Sequence, residues 1–321
     1  MTSSIALATF NGAAYLAEQL ESFRRQERLP DELVVSDDAS TDGTISVLEA
    51  FAAGAPFPVR IHRNPSNIGF AQNFSRALSL CTGDLVFLSD QDDCWFPNKI
   101  ETIESLAEVD ERTQVFINDA ELTDDDLNPA GVTKLSQIRS TRMADDAFVQ
   151  GSCVAVRREF LQLILPVPPA PWSHDAWIMG FARALGRARI VPETLQYYRR
   201  HSSNASAFVA NDPRKLPRLL LVRNMLSDNR GFWRDESARI EIWRDRLDLI
   251  LAGGSAGLEM TAELQALSSR LAAKHAALQA RLTILAKPRP LRILPVAAML
   301  LRGRYRLFAG LRTTCRDVLA R

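Results

Sequence analysis

The sequence predicts an α/β protein built on a mostly parallel sheet with flanking helices, followed by a helical C-terminal region. Three observations carry this. Short apolar runs alternate with segments of helical apolar spacing through the first part of the chain, the pattern of βαβ units with right-handed crossovers. Several of those runs end directly in polar turns, two of them carboxylate clusters, and in open α/β sheets ligands bind beyond the carboxyl ends of the strands. Past Asn204 the alternation gives way to long Leu-, Ala- and Arg-rich helical patterns, which divides the chain into an α/β domain over 1–208 and a helical region over 209–321.

Ile5 to Thr9 is an apolar run that meets the turn signal Asn11-Gly12, after which Leu16, Leu20 and Phe23 recur at helical spacing: strand, turn, helix. Leu33 to Ser36 repeats the pattern, with Asp37 to Gly43 as the polar turn and Ile45, Leu48 and Phe51 marking a second helix. Val59 to His62 is a third strand. From Gly69 onward Phe70, Phe74, Ala77, Leu78 and Cys81 share one helical face, Leu85 to Ser89 forms a fourth strand, and Pro97 opens another helix. Val115 to Asn118, Ser152 to Val156, Ile190-Val191 and Leu195 to Tyr198 are shorter strand candidates, with helices from about Arg158 to Leu165 and after Asp175. In the C-terminal region the helical pattern breaks at Gly253-Gly254-Ser255, and Leu264, Leu267, Leu271, Leu278, Leu282 and Leu285 mark the seam of a helical hairpin.

Hydrophobic residues make up 46% of the chain and charged residues 24%, the usage of soluble folded proteins, which argues against disordered, collagenous and multi-span membrane classes. No run approaches the ~18 apolar residues of a membrane span. The N-terminal residues lack the basic and long apolar segments of a signal peptide. Cys81, Cys94, Cys153 and Cys315 are widely spaced without CxxC pairing, which indicates neither a disulfide framework nor a zinc site and suits the cytoplasm. A formal net charge of +1 argues against a nucleic-acid binder, but the charge is unevenly placed. From Leu282 onward nine basic residues stand against one acid, Asp317, for a net +8, which leaves the preceding 281 residues at −7. From about Lys287 this basic segment also carries a Leu-rich apolar run, so it reads either as an amphipathic element for an anionic membrane surface or as a helix packed on the protein with its arginines in water.

The familiar nucleotide fingerprints are missing: no Gly precedes a Lys as in a P-loop, and the first strand leads into Asn11-Gly12-Ala13-Ala14 instead of a glycine-rich dinucleotide turn. Phosphate charge on such a sheet would need a metal held by carboxylates. Asp90, Asp92 and Asp93 follow a fully apolar strand, where alternation points Asp90 and Asp92 to one side and where two carboxylates repel unless a cation bridges them. Asp-rich surface turns are also common. Asp37 and Asp38 stand at the end of the second strand, where capping of the next helix accounts for Ser40 to Asp42 but less well for the two acids themselves.

Thr9-Phe10-Asn11-Gly12, Asp37-Asp38-Ala39-Ser40-Thr41-Asp42-Gly43-Thr44, Asn67-Ile68-Gly69, Ser89-Asp90-Gln91-Asp92-Asp93-Cys94-Trp95 with Pro97 and Lys99, His174-Asp175-Ala176-Trp177 and Tyr198-Arg199-Arg200-His201 together resemble family 2 glycosyltransferases, in the branch that contains bacterial rhamnosyltransferases. The resemblance covers roughly residues 3 to 205. It implies a GT-A fold, a nucleotide-diphosphate sugar donor such as a dTDP- or UDP-sugar, a divalent metal (Mg²⁺ or Mn²⁺), and inversion at the anomeric carbon. It also implies donor contacts from Thr9, Phe10, Asn11, Asp37, Asp38, Asn67 and Asp90, with Asp38 on a uracil-type base. Asp92 maps onto the direct metal ligand beside Asp90, with His201 a further candidate, and Asp93 receives no role. Asp175 maps onto the catalytic base. Many members carry Glu-Asp where this chain has His174-Asp175; His174 and Trp172 fall on the acceptor side. From the residues alone, Asp175 could be a helix-capping acid and His201 a structural histidine, Arg199 and Arg200 could be surface charges or partners of the leaving group, and Trp95, Trp172 and Trp177 read more readily as core.

The expected function is transfer of a sugar, with rhamnose the one the resemblance suggests, to a hydroxyl of a surface glycan or lipid-linked acceptor. A phosphatase with Asp90 as nucleophile is a rival, although such enzymes carry D-x-D after their first strand and here it follows the fourth. A non-catalytic scaffold with this fold is the third reading, and loss of a key acid would have favoured it; none is lost.

Overall fold

The computed structural model describes residues 1–140, 145–169, 173–201, 230–254 and 257–308, with a few positions beyond. Trp172 lies outside the described residues. The chain divides into two compact units, Met1–Lys215 and Leu216–Arg321.

In the first unit, β1 (Ser3–Thr9), α1 (Ala13–Arg24), β2 (Glu32–Asp37), α2 (Thr44–Ala52), β3 (Val59–Arg63), α3 (Phe70–Leu80) and β4 (Leu85–Ser89) follow one another as the apolar alternation predicts. β1, β2 and β4 have no exposed apolar side chain, as expected for strands covered on both faces. Leu16, Leu20, Phe23 and Leu48 from the helices close over Ile5, Leu7, Leu33, Val35, Leu85 and Phe87 to make the core. Each such side chain stabilises the fold by about 1.5–3 kcal/mol on burial.

The sheet then turns mixed. Its order is β3-β2-β1-β4-β8-β6-β9-β5, with β7 (Pro129–Thr133) paired to β6 (Val115–Thr123) off that path. The first four strands are parallel. β8 (Val154–Arg157) enters antiparallel between β4 and β6, whereas β6 and β9 (Ala188–Arg199) are again parallel. The expected parallel sheet therefore holds for the half built from βαβ units, and antiparallel strands enter where the connections are not simple crossovers. β5 is only Cys94–Trp95, paired antiparallel with Tyr197 and Gln196 of β9. Between these strands lie α4 (Lys99–Val109), α5 (Lys134–Ser140), α6 (Arg158–Ile164) and α7 (His174–Ala184). Trp95 and Trp177 are core residues.

In the second unit α8 (Arg230–Gly253) and α9 (Leu258–Leu285) pack against one another, with Leu264, Leu267, Leu271, Leu278 and Leu285 buried along the expected seam. A short helix, α10 (Ile293–Leu301), follows. Around Asp317 the Arg281 guanidinium donates from Nε at 2.5 Å and Nη2 at 2.7 Å, and the Tyr305 hydroxyl donates at 2.9 Å, so both oxygens of this buried carboxylate are hydrogen-bonded. Among the described residues no helix is long and apolar enough to cross a membrane.

Candidate active site

The carboxyl ends of β1, β2 and β4 bring the loops after Thr9, Asp37 and Ser89 side by side. Asp37 is spent inside this framework: Oδ1 accepts from the Thr9 hydroxyl at 2.9 Å and the Ser40 hydroxyl at 2.5 Å, and Oδ2 from the Ser40 N–H at 2.9 Å. Asp38, 1% exposed, accepts from Asn64 Nδ2 at 2.9 Å and from the N–H groups of Ile68 and Gly69 at 2.8 and 2.9 Å. Its carboxylate thus fixes the turn that carries Asn67, whose own Oδ1 accepts from Gly69 N–H at 3.0 Å. Beside that turn Phe10, Ile68 and Phe70 are exposed, an apolar rim at the mouth of the sheet.

Asn11 and Ala39 both have positive φ, 47° and 61°, conformations costly for residues with a Cβ. The first is held by Asn11 Oδ1 accepting from Thr41 N–H at 2.9 Å and by Asn11 N–H donating to the Ser40 hydroxyl at 2.9 Å. Gln91 locks the same loop from the other side: its Oε1 accepts from Phe10 N–H at 2.9 Å and its Nε2 donates to Phe10 O at 3.1 Å. This clamp requires Gly12, because a Cβ there would come within 2.8 Å of Gln91 Nε2 and closer still to Oε1.

The acidic turn after β4 is pinned to β9. Asp93 is buried: Oδ2 accepts from Gln196 Nε2 at 2.9 Å and Oδ1 from Arg199 N–H at 3.3 Å. Gln196 Oε1 in turn accepts from Lys99 Nζ at 2.5 Å, and Lys99 also donates to Ser152 O at 3.0 Å while lying 3.9 Å from the centre of the Trp95 ring. Burial pushes Lys99 down to about 8 and Asp93 up to about 7, the latter also through the charge of Asp92. Arg199 is neither a surface charge nor a free partner for a leaving group: its Nε donates to Asp92 O at 2.8 Å, its guanidinium reaches Glu18 and the Asp125 carbonyl, and it stacks 4.8 Å over the Tyr15 ring.

The end of β9 delivers His201, whose Nε2 lies 2.7 Å from Asp92 Oδ2 and whose ring stacks on Tyr15 at 4.7 Å. Two of the three expected metal ligands therefore meet. Asp90 does not complete a close trio with them: among the described residues no three His, Cys, Asp or Glu side chains are grouped to cage an ion. Burial raises Asp90 well above the carboxylate range, and the charges of Asp92, Asp93 and Asp175 raise it further. A desolvated cluster of mutually repelling acids with an imidazole at its edge fits a divalent cation that draws its remaining ligands from phosphate oxygens.

Asp175 enters this field from the first turn of α7. Its Oδ1 accepts from the Ser173 hydroxyl at 2.5 Å and from Ala176 N–H at 2.7 Å, and its Oδ2 takes no hydrogen bond among the described residues. One oxygen caps the helix and the other is left to do something else. His174 is buried instead of facing an acceptor: its ring stacks on Phe74 at 3.8 Å and meets Phe70 edge-on at 6.1 Å. Among the described residues neither ring nitrogen has a hydrogen-bond partner, and burial lowers its pKa, so His174 is a neutral packing residue.

Gln91, Lys99, Ser152 and Gln196 received no role from the sequence. Lys99 did leave a signal: a cation in the first turn of a helix opposes the helix dipole and needs acceptors elsewhere.

The family model described as Glycosyl transferase family 2 matches residues 4–165. The dTDP-rhamnosyl transferase RfbG of Shigella flexneri is 29% identical over 238 residues, 68% of this chain and 79% of that protein. The abequosyltransferase RfbV of Salmonella typhimurium is 31% identical over 129 residues, 40% of this chain and 38% of that protein. An uncharacterized glycosyltransferase of Nostoc sp. is 28% identical over 215 residues, 64% of this chain and 66% of that protein, so the chain spans just under two thirds of that relative. Among solved structures, Staphylococcus aureus TarS 1-349 in complex with UDP-GlcNAc superposes with a TM-score of 0.58 at 15% identity, covering 99% of this chain and 87% of that one. This likeness shows the fold, the GT-A arrangement expected from the sequence.

Proposed function

The chain belongs to glycosyl transferase family 2, and from that premise we propose that it transfers a sugar from a nucleotide-diphosphate donor to a hydroxyl of a glycan, with inversion at the anomeric carbon. The similarity to a dTDP-rhamnosyl transferase favours rhamnose carried on thymidine diphosphate, with a UDP-sugar as the second donor to try. The acceptor we assign is a growing surface glycan, free or lipid-linked, and the place of action is the cytoplasmic face of a membrane.

The observation that carries this reading is the meeting of Asp92, on the turn after β4, with His201, at the end of β9, beside Asp90, which feels the charges of Asp92, Asp93 and Asp175. Asp92 and His201 would hold Mg²⁺ or Mn²⁺, with Asp90 beside them; the ion, when bound, neutralises the departing diphosphate. The Phe10, Ile68 and Phe70 rim would receive the base and sugar, and Thr9, Asn11, Asp37, Asp38 and Asn67 would act mainly by shaping that rim. Asp175 removes the proton from the acceptor hydroxyl through Oδ2, while Ser173 and Ala176 fix its orientation through Oδ1. A single displacement then inverts the anomeric centre. The phosphatase reading fares worse: the family match is to a glycosyltransferase, and the D-x-D element follows the fourth strand of the sheet and not the first.

The test is turnover against a panel of nucleotide sugars with Mn²⁺ or Mg²⁺, with product stereochemistry read by NMR. Retention of configuration, or release of inorganic phosphate from simple phosphate esters with no action on any nucleotide sugar, would overturn the proposal.

A further inference from the structure

Every residue of the helix Ile293–Leu301 is apolar. A helix apolar all round belongs inside a core or against lipid, yet only one stripe of this one is covered. Val296 and Met299 pack with Ala277, Ile284 and Tyr305. Just ahead of the helix, buried Arg292 extends that stripe, its guanidinium donating to Lys287 O at 2.7 Å and Leu285 O at 3.0 Å. The opposite side is open: Leu294 and Leu301, two turns apart, are 82% and 89% exposed, and Leu291, Ile293 and Leu300 stand out beside them.

Charge identifies what covers this face. No acid occurs between Lys287 and Phe308, and the side chains of Lys287, Arg302, Arg304 and Arg306 have no ion-pair partner among the described residues. A second copy seated on the same face about a two-fold axis would set arginines against arginines. At 1.5 Å per residue a nine-residue helix is far too short for the ~30 Å hydrocarbon core of a bilayer, so it can lie on a membrane but not span one. Exposed aliphatic side chains flanked by Lys287, Arg302, Arg304 and Arg306, with no acid near them in sequence, match a surface that is anionic outside and apolar just beneath.

We propose that this face binds an anionic phospholipid bilayer, with the helix in the plane of the interface, Leu294 and Leu301 in the acyl boundary and the arginines among the headgroup phosphates. The inference does not depend on which sugar is transferred.

Flotation of the full chain with vesicles tests it. The protein should rise with phosphatidylglycerol/phosphatidylcholine vesicles and not with phosphatidylcholine alone, and rising salt should release it. Leu294→Glu/Leu301→Glu, both at exposed positions, should lower partitioning by about 100-fold or more, since each buried leucine contributes roughly tenfold or more. Arg302→Glu/Arg306→Glu should abolish the preference for anionic lipid. Both variants should keep the wild-type melting temperature and the wild-type rate of donor turnover, which separates this surface from the reaction. Failure of the wild type to float, or undiminished flotation of the leucine variant, would overturn the proposal. So would concentration-dependent self-association without lipid that the leucine variant loses, because the face would then belong to a second copy.

Discussion

Gly151→Ala is a one-carbon change that reaches the proposed base without touching it. Gly151 lies against the His174 ring; a Cβ built there would stand 3.3 Å from Cε1, 3.4 Å from Cδ2 and closer still to Nε2. Ordinary carbon contacts lie near 3.5–4.0 Å, so the ring must retreat by roughly 1 Å. It has little freedom to do so, being stacked on Phe74 at 3.8 Å and bordered by Phe70. Overpacking of this kind costs about 1–3 kcal/mol, and at roughly 2–4 °C per kcal/mol for a unit of this size the melting temperature should fall by a few degrees or more. The functional effect should be larger than the thermal one. His174 opens α7 and is covalently followed by Asp175, so a displaced ring moves the base, and a misplacement of about 1 Å can cost on the order of 10²-fold in rate. The assay pairs thermal unfolding with turnover of dTDP- and UDP-sugars in Mn²⁺. His174→Ala in the same background should return part of the lost stability by making room for the new methyl group. A Gly151→Ala protein with unchanged melting temperature and unchanged turnover would refute the view of His174 as the packing element that sets Asp175.

Asp175→Asn should lower turnover by about 10²–10⁴ while donor affinity, measured by calorimetry, stays near wild type. Asp92→Asn should weaken nucleotide binding in Mn²⁺ to the level seen with EDTA; equal affinities with and without metal in the wild type would remove Asp92 from the metal site. Lys99→Met leaves the Ser152 carbonyl and Gln196 Oε1 without their donor, so unfolding free energy should drop by about 1–3 kcal/mol per acceptor. The pH dependence has a worked sign. Asp93 binds its proton more tightly folded, near 7, than unfolded, near 4. In EDTA the stability it contributes is therefore fully present below about pH 4 and is lost as pH rises through about 7. Lys99, lowered to about 8, works in the opposite sense, adding stability as pH climbs from about 8 towards its unfolded value near 10.4. Thermal scans across pH with and without Mn²⁺ check both, since metal should relieve the loss near neutrality by taking the place of protons on the acidic cluster.

Strands and helices up to Ser89 are legible in the sequence because each is covered on a face that its own apolar spacing records. Beyond that the record thins. β6 continues to Thr123, past the apolar run that ends at Asn118, because Asp119 is buried on a specific duty, accepting from Leu135 N–H at 2.9 Å. β9 reads as two fragments because Pro192-Glu193 interrupts it, and the structure bridges the interruption with a shift in register against β6. β5 has two residues, too few for any periodicity to show. The acids at the site were visible as unusual residues at strand ends. Their supports were not, because nothing near Gln196 in sequence says that its amide will meet Asp93 and Lys99. Asp93, without a role in the sequence, turns out to be what ties the acidic turn to β9.

That tie has a consequence for the order in which the protein is made. The loops after β1, β2 and β4 leave the ribosome within the first ninety or so residues, whereas the strand that locks the acidic turn and brings up His201 is synthesised about a hundred residues later, after Asp175. Domains tend to fold as their chains emerge. A growing chain can shape the rim around Phe10 and Phe70 long before His201 reaches Asp92, so under the proposed mechanism the groups that would act on an activated sugar come together only after the rim that would receive it.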